Sequence, residues 1–114
     1  MDPISAAVVT KALDGLSLRM TATASNIANA NSSDHRPQLV RFEDSLRAAA
    51  RLGAAAVDAV RPRLEAAPAG RFGDEPRLDM ELASATDTAL RYNALVNLLG
   101  RQMEISRAVV RGGQ

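Results

Sequence analysis

With 114 residues and a net charge of +1, from 14 basic and 13 acidic side chains, the chain has room for one domain and no block of like charge to grip nucleic acid. Aromatic residues make up 3% (Phe42, Phe72 and Tyr92), too few for base stacking or for a ring-dominated core. The absence of cysteine excludes a disulfide framework and thiolate metal sites.

Apolar content is 46%, but alanine supplies much of it. A buried alanine contributes far less than the roughly 1.5–3 kcal/mol of a leucine or phenylalanine. Ordering each residue costs on the order of 1.5 kcal/mol. A lone copy is therefore expected to be marginal, with partners supplying further burial. Asp2, Lys11, Asp14 and Arg19 interrupt the start of the chain, so no cleaved secretory signal is expected there. The apolar runs fall well short of the ~20 residues that cross a bilayer.

The first element expected is a long helix over 3–30. Pro3 suits a first turn. Ala6, Val9, Leu13, Leu16, Met20, Thr23, Ile27 and Ala30 recur at spacings of three and four, which places an apolar seam along one side. Gly15, Thr10, Thr21 and Thr23 weaken its intrinsic helicity. Asn26, Asn29, Asn31, Ser32, Ser33 and Asp34 compete for backbone hydrogen bonds, and Pro37 disfavours helix at Arg36, so Asn31 to Val40 reads as a loop or extended turn. Phe42 to Val60 reads as a second, alanine-rich helix, weakened at Gly53 and ended by Pro62. Ala66 to Pro76, with two prolines and two glycines, reads as a linker that completes a middle region over 31–77.

The last element, a helix over 78–111, carries the strongest pattern. Leu78, Leu82, Ala85, Ala89, Tyr92, Val96, Leu99, Met103, Ser106 and Val110 form one stripe; Leu95, Leu98, Gln102, Ile105 and Val109 form another beside it. Two adjacent stripes exceed what one partner helix covers. Asp79 and Glu81 at the start and Arg101, Arg107 and Arg111 at the end suit the helix dipole, and Gly112-Gly113 suits its close. The expected fold is all-α: long N- and C-terminal helices in an antiparallel coiled-coil-like hairpin, with a short middle helix and an irregular loop, over 1–114.

Three stretches resemble the flagellar basal-body rod proteins, and within them the proximal-rod FlgB family. They are Ala24-Ser25-Asn26-Ile27-Ala28-Asn29-Ala30-Asn31, Phe42-Glu43-Asp44-Ser45-Leu46, and Leu78-Asp79-Met80-Glu81-Leu82-Ala83 with Ala89-Leu90-Arg91-Tyr92-Asn93-Ala94-Leu95. Where that family continues with Thr-Pro-Gly-Tyr, this chain has Ser32-Ser33-Asp34-His35 before Arg36. The resemblance implies a structural, non-enzymatic subunit of the periplasmic rod, exported by the flagellar type III apparatus without a cleaved signal. It implies as partners other copies, other rod proteins, the MS-ring adaptor and the export gate, with no cofactor, nucleic acid or direct membrane span.

The expected subunit-interface residues are Leu13, Leu16, Met20, Asn26, Ile27 and Asn29 on the first helix. On the last they are Tyr92, Leu95, Val96, Leu98, Leu99, Met103, Ile105 and Val109, with core packing the alternative for Tyr92 and ordinary hairpin core the alternative for the face of Leu95, Leu98, Ile105 and Val109. Asn26 and Asn29 are either local helix-ending residues or register-setting amides between subunits. Leu95→Asp and Leu99→Asp are expected to abolish assembly. Ser33, Asp34 and His35 hold the residue types of a triad, but neighbours in sequence do not converge as a triad must. Asp79 and Glu81 have a sufficient explanation at a helix start. Rival readings are another axial subunit, a cytoplasmic helical adaptor or secretion chaperone, and a membrane-surface helix, the last disfavoured by the near-zero charge.

Overall fold

The computed structural model describes residues 1–67 and 77–112. The order of elements is α1 (Pro3–Ala28), β1 (Gln38–Arg41), α2 (Glu43–Ala50), α3 (Ala54–Asp58), β2 (Arg63–Ala66) and α4 (Arg77–Gly112). The fold is mostly helical, and its long first and last helices pack together. The molecule is a slab of 63 × 26 × 15 Å. Its radius of gyration, 17.7 Å, exceeds the ~13 Å of a compact domain of this size.

Helix α1 begins where the sequence says it should. Pro3 occupies the first turn, and the Asp2 carboxylate accepts the Ser5 N–H at 2.7 Å. It ends at Ala28, two residues before the expected stop, because Asn29 turns its Nδ2 back to donate to the Ser25 carbonyl at 2.8 Å.

The middle region departs from an all-α fold. β1 and β2 form a two-stranded antiparallel sheet, with Gln38 opposite Ala66, Leu39 opposite Glu65, Val40 opposite Leu64 and Arg41 opposite Arg63. Val40, within the expected loop, is a strand residue. The expected helix from Phe42 to Val60 is two short helices. They are split by Gly53, whose φ of 127° is accessible only to glycine at little cost. Of the expected linker, Ala66 lies in β2, and Ala67 is buried, its N–H donating to the Pro37 carbonyl at 2.8 Å. The rest of that linker lies outside the described residues, as does Gly113.

The core explains why the middle folds at all. Leu16 and Ala22 of α1 pack with Val40, Phe42, Leu46, Ala49, Val57 and Val60 of the middle region. From α4, Tyr92 and Leu95 reach this cluster only at its margin. Helix α1 thus has two packed lines. One is the expected seam, in which Val9, Leu16 and Thr23 are buried. The other is Val8, Ala12, Gly15, Arg19, Ala22 and Asn26, again at four–three spacing, and it carries the middle region. Three of its six members are not apolar side chains, so hydropathy alone does not reveal it.

Candidate assembly surface

Three residues of α1 fix the middle region in place. Gly15 gives way to the Phe42 ring: a Cβ there would lie 2.5 Å from ring atoms. One turn on, the Arg19 guanidinium lies 4.9 Å from the centre of that ring and donates to both Glu43 carboxylate oxygens at 2.7 Å and to the Val40 carbonyl at 2.7 Å. The hydrogen bonds from Arg19 hold the Glu43 carboxyl below the ordinary glutamate range, against the opposing effect of partial burial.

Asn26 works at the other end of the second line. Its Oδ1 accepts the Gln38 N–H at 2.9 Å and its Nδ2 donates to the Gln38 carbonyl at 2.9 Å, so the side chain stands in for a neighbouring strand. The same Nδ2 lies 3.2 Å from both Glu81 oxygens, which ties the end of α1 to the start of α4. His35 Nε2 sits 3.4 Å from Asn26 Oδ1. Asn26 is 3% exposed, and its amide is spent inside the chain. The Asn29 amide bonds within its own helix. The Asn26 amide thus bonds on both its oxygen and its nitrogen within the chain, while half-buried Asn29 uses its Nδ2 locally.

The remaining interface candidates divide by burial. Leu16 is 3% exposed and belongs to the core. Leu13, Met20 and Ile27, seven residues apart on α1, are half-buried, as are Tyr92, Leu95 and Leu99 on α4. Val96, Leu98, Met103, Ile105 and Val109 are open, from 43% exposed at Val96 to 68% at Val109. Leu78, Met80, Leu82, Leu90 and Val110 are also exposed.

Helix α4 therefore turns inward along neither expected stripe as such. Its covered line is Glu81, Ala85, Thr88, Tyr92, Leu95, Leu99 and Gln102, which draws on both stripes and includes polar residues, with Thr88 1% exposed. At 100° per residue, Leu82 and Val96 flank this line on one side and Met80, Leu98 and Ile105 on the other. Beyond Gln102 every described residue of α4 is exposed. Apolar surface thus lies on both flanks of the covered line and around its far end.

Beside the second flank, Val8, Ala12 and Leu16 of α1, Leu46 and Ala50 of α2, and Ala94 and Leu95 of α4 line an apolar groove of about 640 Å³. Glu43, Arg47 and Arg91 stand at its edge. Among the described residues, no group of three His, Cys, Asp or Glu side chains could hold a metal, and no helix is long and apolar enough to cross a membrane. No protein-family model matches the chain, and no curated protein or solved structure is significantly similar to it.

Proposed function

We propose that the chain is a non-enzymatic structural subunit of the bacterial flagellar rod, in its proximal part, that polymerises through its terminal helices and transmits torque. The observation carrying this reading is the uncovered apolar surface of α4, from Val96 to Val110, on a helix already packed along its centre. On this reading α1 and α4 form an antiparallel coiled-coil-like hairpin. Support comes from the Asn26–Glu81 contact at one end and from Val8, Ala12 and Leu95 sharing one groove further along. Contacts repeated head to tail between unlike surfaces grow a helical polymer instead of closing at two copies. Other rod proteins, the MS-ring adaptor and the export gate are the further partners, and the rod spans the periplasm.

Leu98→Asp and Ile105→Asp test the proposal better than changes at Leu95 or Leu99, which are half-buried within the subunit. Hook–basal bodies purified from a strain carrying either allele should be missing, and the cells non-motile. Normal swimming with intact basal bodies would refute the reading. The apolar groove also suits a cytoplasmic helical adaptor or secretion chaperone that holds a client helix. Fractionation separates the two, because a chaperone stays in the cytoplasmic fraction while a rod subunit, from this or a neighbouring rod segment, travels with basal bodies.

A further inference from the structure

The two strands of the small sheet differ in what covers their outer edges. In an antiparallel pair, successive residues point their backbone N–H and C=O alternately toward the neighbour and away from it. Asn26 holds both groups of Gln38, and Arg19 holds the Val40 carbonyl. The outer edge of β1 is thus covered by side chains of α1. By the same alternation, Leu64 and Ala66 of β2 point their backbone groups away from β1, and among the described residues nothing bonds to them on that side. Leu64 is 48% exposed.

The charges on β2 are unbalanced within the chain. Arg63 stands directly opposite Arg41, a like-charge pair across the strands. Arg41 is neutralised by Glu65 at 2.8 Å, whereas Arg63 has no ion pair among the described residues.

We infer that β2 is a pairing edge for a second copy of this chain, β2 against β2, antiparallel about a two-fold axis at Leu64. The sequence Arg63-Leu64-Glu65 is complementary to itself in that register. Leu64 meets Leu64 of the second copy, and each Arg63 meets the other copy's Glu65, gaining the acid it lacks at home. The register centred on Glu65 instead sets carboxylate against carboxylate. The product is a four-stranded sheet ordered β1-β2-β2-β1. Such a contact is the same patch on both copies and closes at a dimer, so it is separate from open-ended growth through α4 and does not depend on it. Four residues make a short edge, and the dimer is weak and concentration-dependent.

The chain has no cysteine, so one introduced thiol reports cleanly. Directly opposed, bonded residues have Cα atoms about 5.5 Å apart, within the span of a disulfide. Leu64→Cys should therefore form a covalent dimer under mild oxidation, faster than Leu52→Cys, whose side chain is more exposed at 81% but lies off the edge. Adding Arg63→Glu should slow the reaction by about tenfold or more, since both attractive pairs become repulsive. Mixing that variant with Leu64→Cys/Glu65→Arg should restore it, as mixed dimers only. In the unaltered chain, the Leu64 and Ala66 amides should exchange more slowly as concentration rises. Cross-linking no faster than at Leu52, indifference to Arg63→Glu, or exchange at Leu64 and Ala66 independent of concentration would each overturn the pairing. A chain whose β2 edge instead takes a strand from a different protein would give that last result.

Discussion

Gly15 is held by the ring that lies on it. In an exposed helix, replacing glycine by alanine gains about 1 kcal/mol of helix propensity. Here the new methyl would sit 2.5 Å from Phe42, a 4%-exposed ring with Arg19 stacked on it, so the ring cannot simply swing aside. Overpacking of this kind costs about 1–3 kcal/mol. The clash cancels or outweighs the propensity, and Gly15→Ala should lose up to about 2 kcal/mol in urea unfolding instead of gaining stability.

Glu43, in the same cluster, gives stability a pH dependence of known sign. Its folded carboxyl titrates below the ordinary range because Arg19 bonds the charged form. The resulting stabilisation is in full force above the unfolded value of about 4.3 and is lost as the pH falls through the lower folded value. With the Glu43 side chain 40% exposed, solvent screening limits the effect to about 1 kcal/mol or less. Urea titrations from about pH 6 to about pH 3 should show that Glu43→Gln is less stable at the upper end and loses less on acidification.

At the scale of elements, β1 is held along its outer edge by Arg19 and Asn26, and the Asn26 amide carries the larger share of the bonds. Asn26→Ala strips the partners from both backbone groups of half-buried Gln38 where they face the 3%-exposed Asn26, and an orphaned buried group costs about 1–3 kcal/mol. The variant should unfold about 2–4 kcal/mol more easily in urea, with fast exchange at the Gln38 amide reporting the freed edge. The sequence marks Asn26 clearly, as part of a cluster that ends a helix, but gives no sign that its amide serves a strand. β1 and β2 are four residues each, joined across more than twenty others, and Arg63-Leu64-Glu65-Ala66 contains little that favours a strand. What makes them strands is non-local: Phe42 on Gly15, Arg19 on Val40, Asn26 on Gln38.

The long helices were easier to read, since Pro3, the apolar periods and the asparagine-rich stop act locally. Gly53 was legible as a weak point, and its positive φ makes it a break. The covered line of α4 was not legible in the same way. It passes through Glu81, Thr88 and Gln102, because the line follows the neighbour's surface and Asn26 supplies a polar partner for Glu81. Apolar spacing by itself does not locate the centre of that line.

For the molecule as a whole, the division of burial decides which apolar surfaces stay open. The apolar cluster belongs to α1 and the middle region, while α4 lies across it with Tyr92 and Leu95 at the margin. A 36-residue α4 is about 54 Å long against about 39 Å for the 26 residues of α1, so its far end runs beyond cover. Amides of α1 between Leu16 and Asn26 should therefore be the slowest to exchange, and those of α4 beyond Gln102 among the fastest in the free chain. The same division separates two substitutions that look alike in sequence. Leu95→Asp puts a charge beside Leu16 and Leu46 in the groove and should lower stability by about 2 kcal/mol or more. Leu98→Asp alters a side chain 44% open to water and should change the melting of the free chain by about 0.5 kcal/mol or less. If α4 is the polymerising surface, both variants fail to assemble, but only Leu98→Asp does so as a normally folded subunit. Its far amides then stay fast in mixtures where those of the unaltered chain slow down. Equal protection in both chains on assembly would mean that this flank of α4 meets nothing.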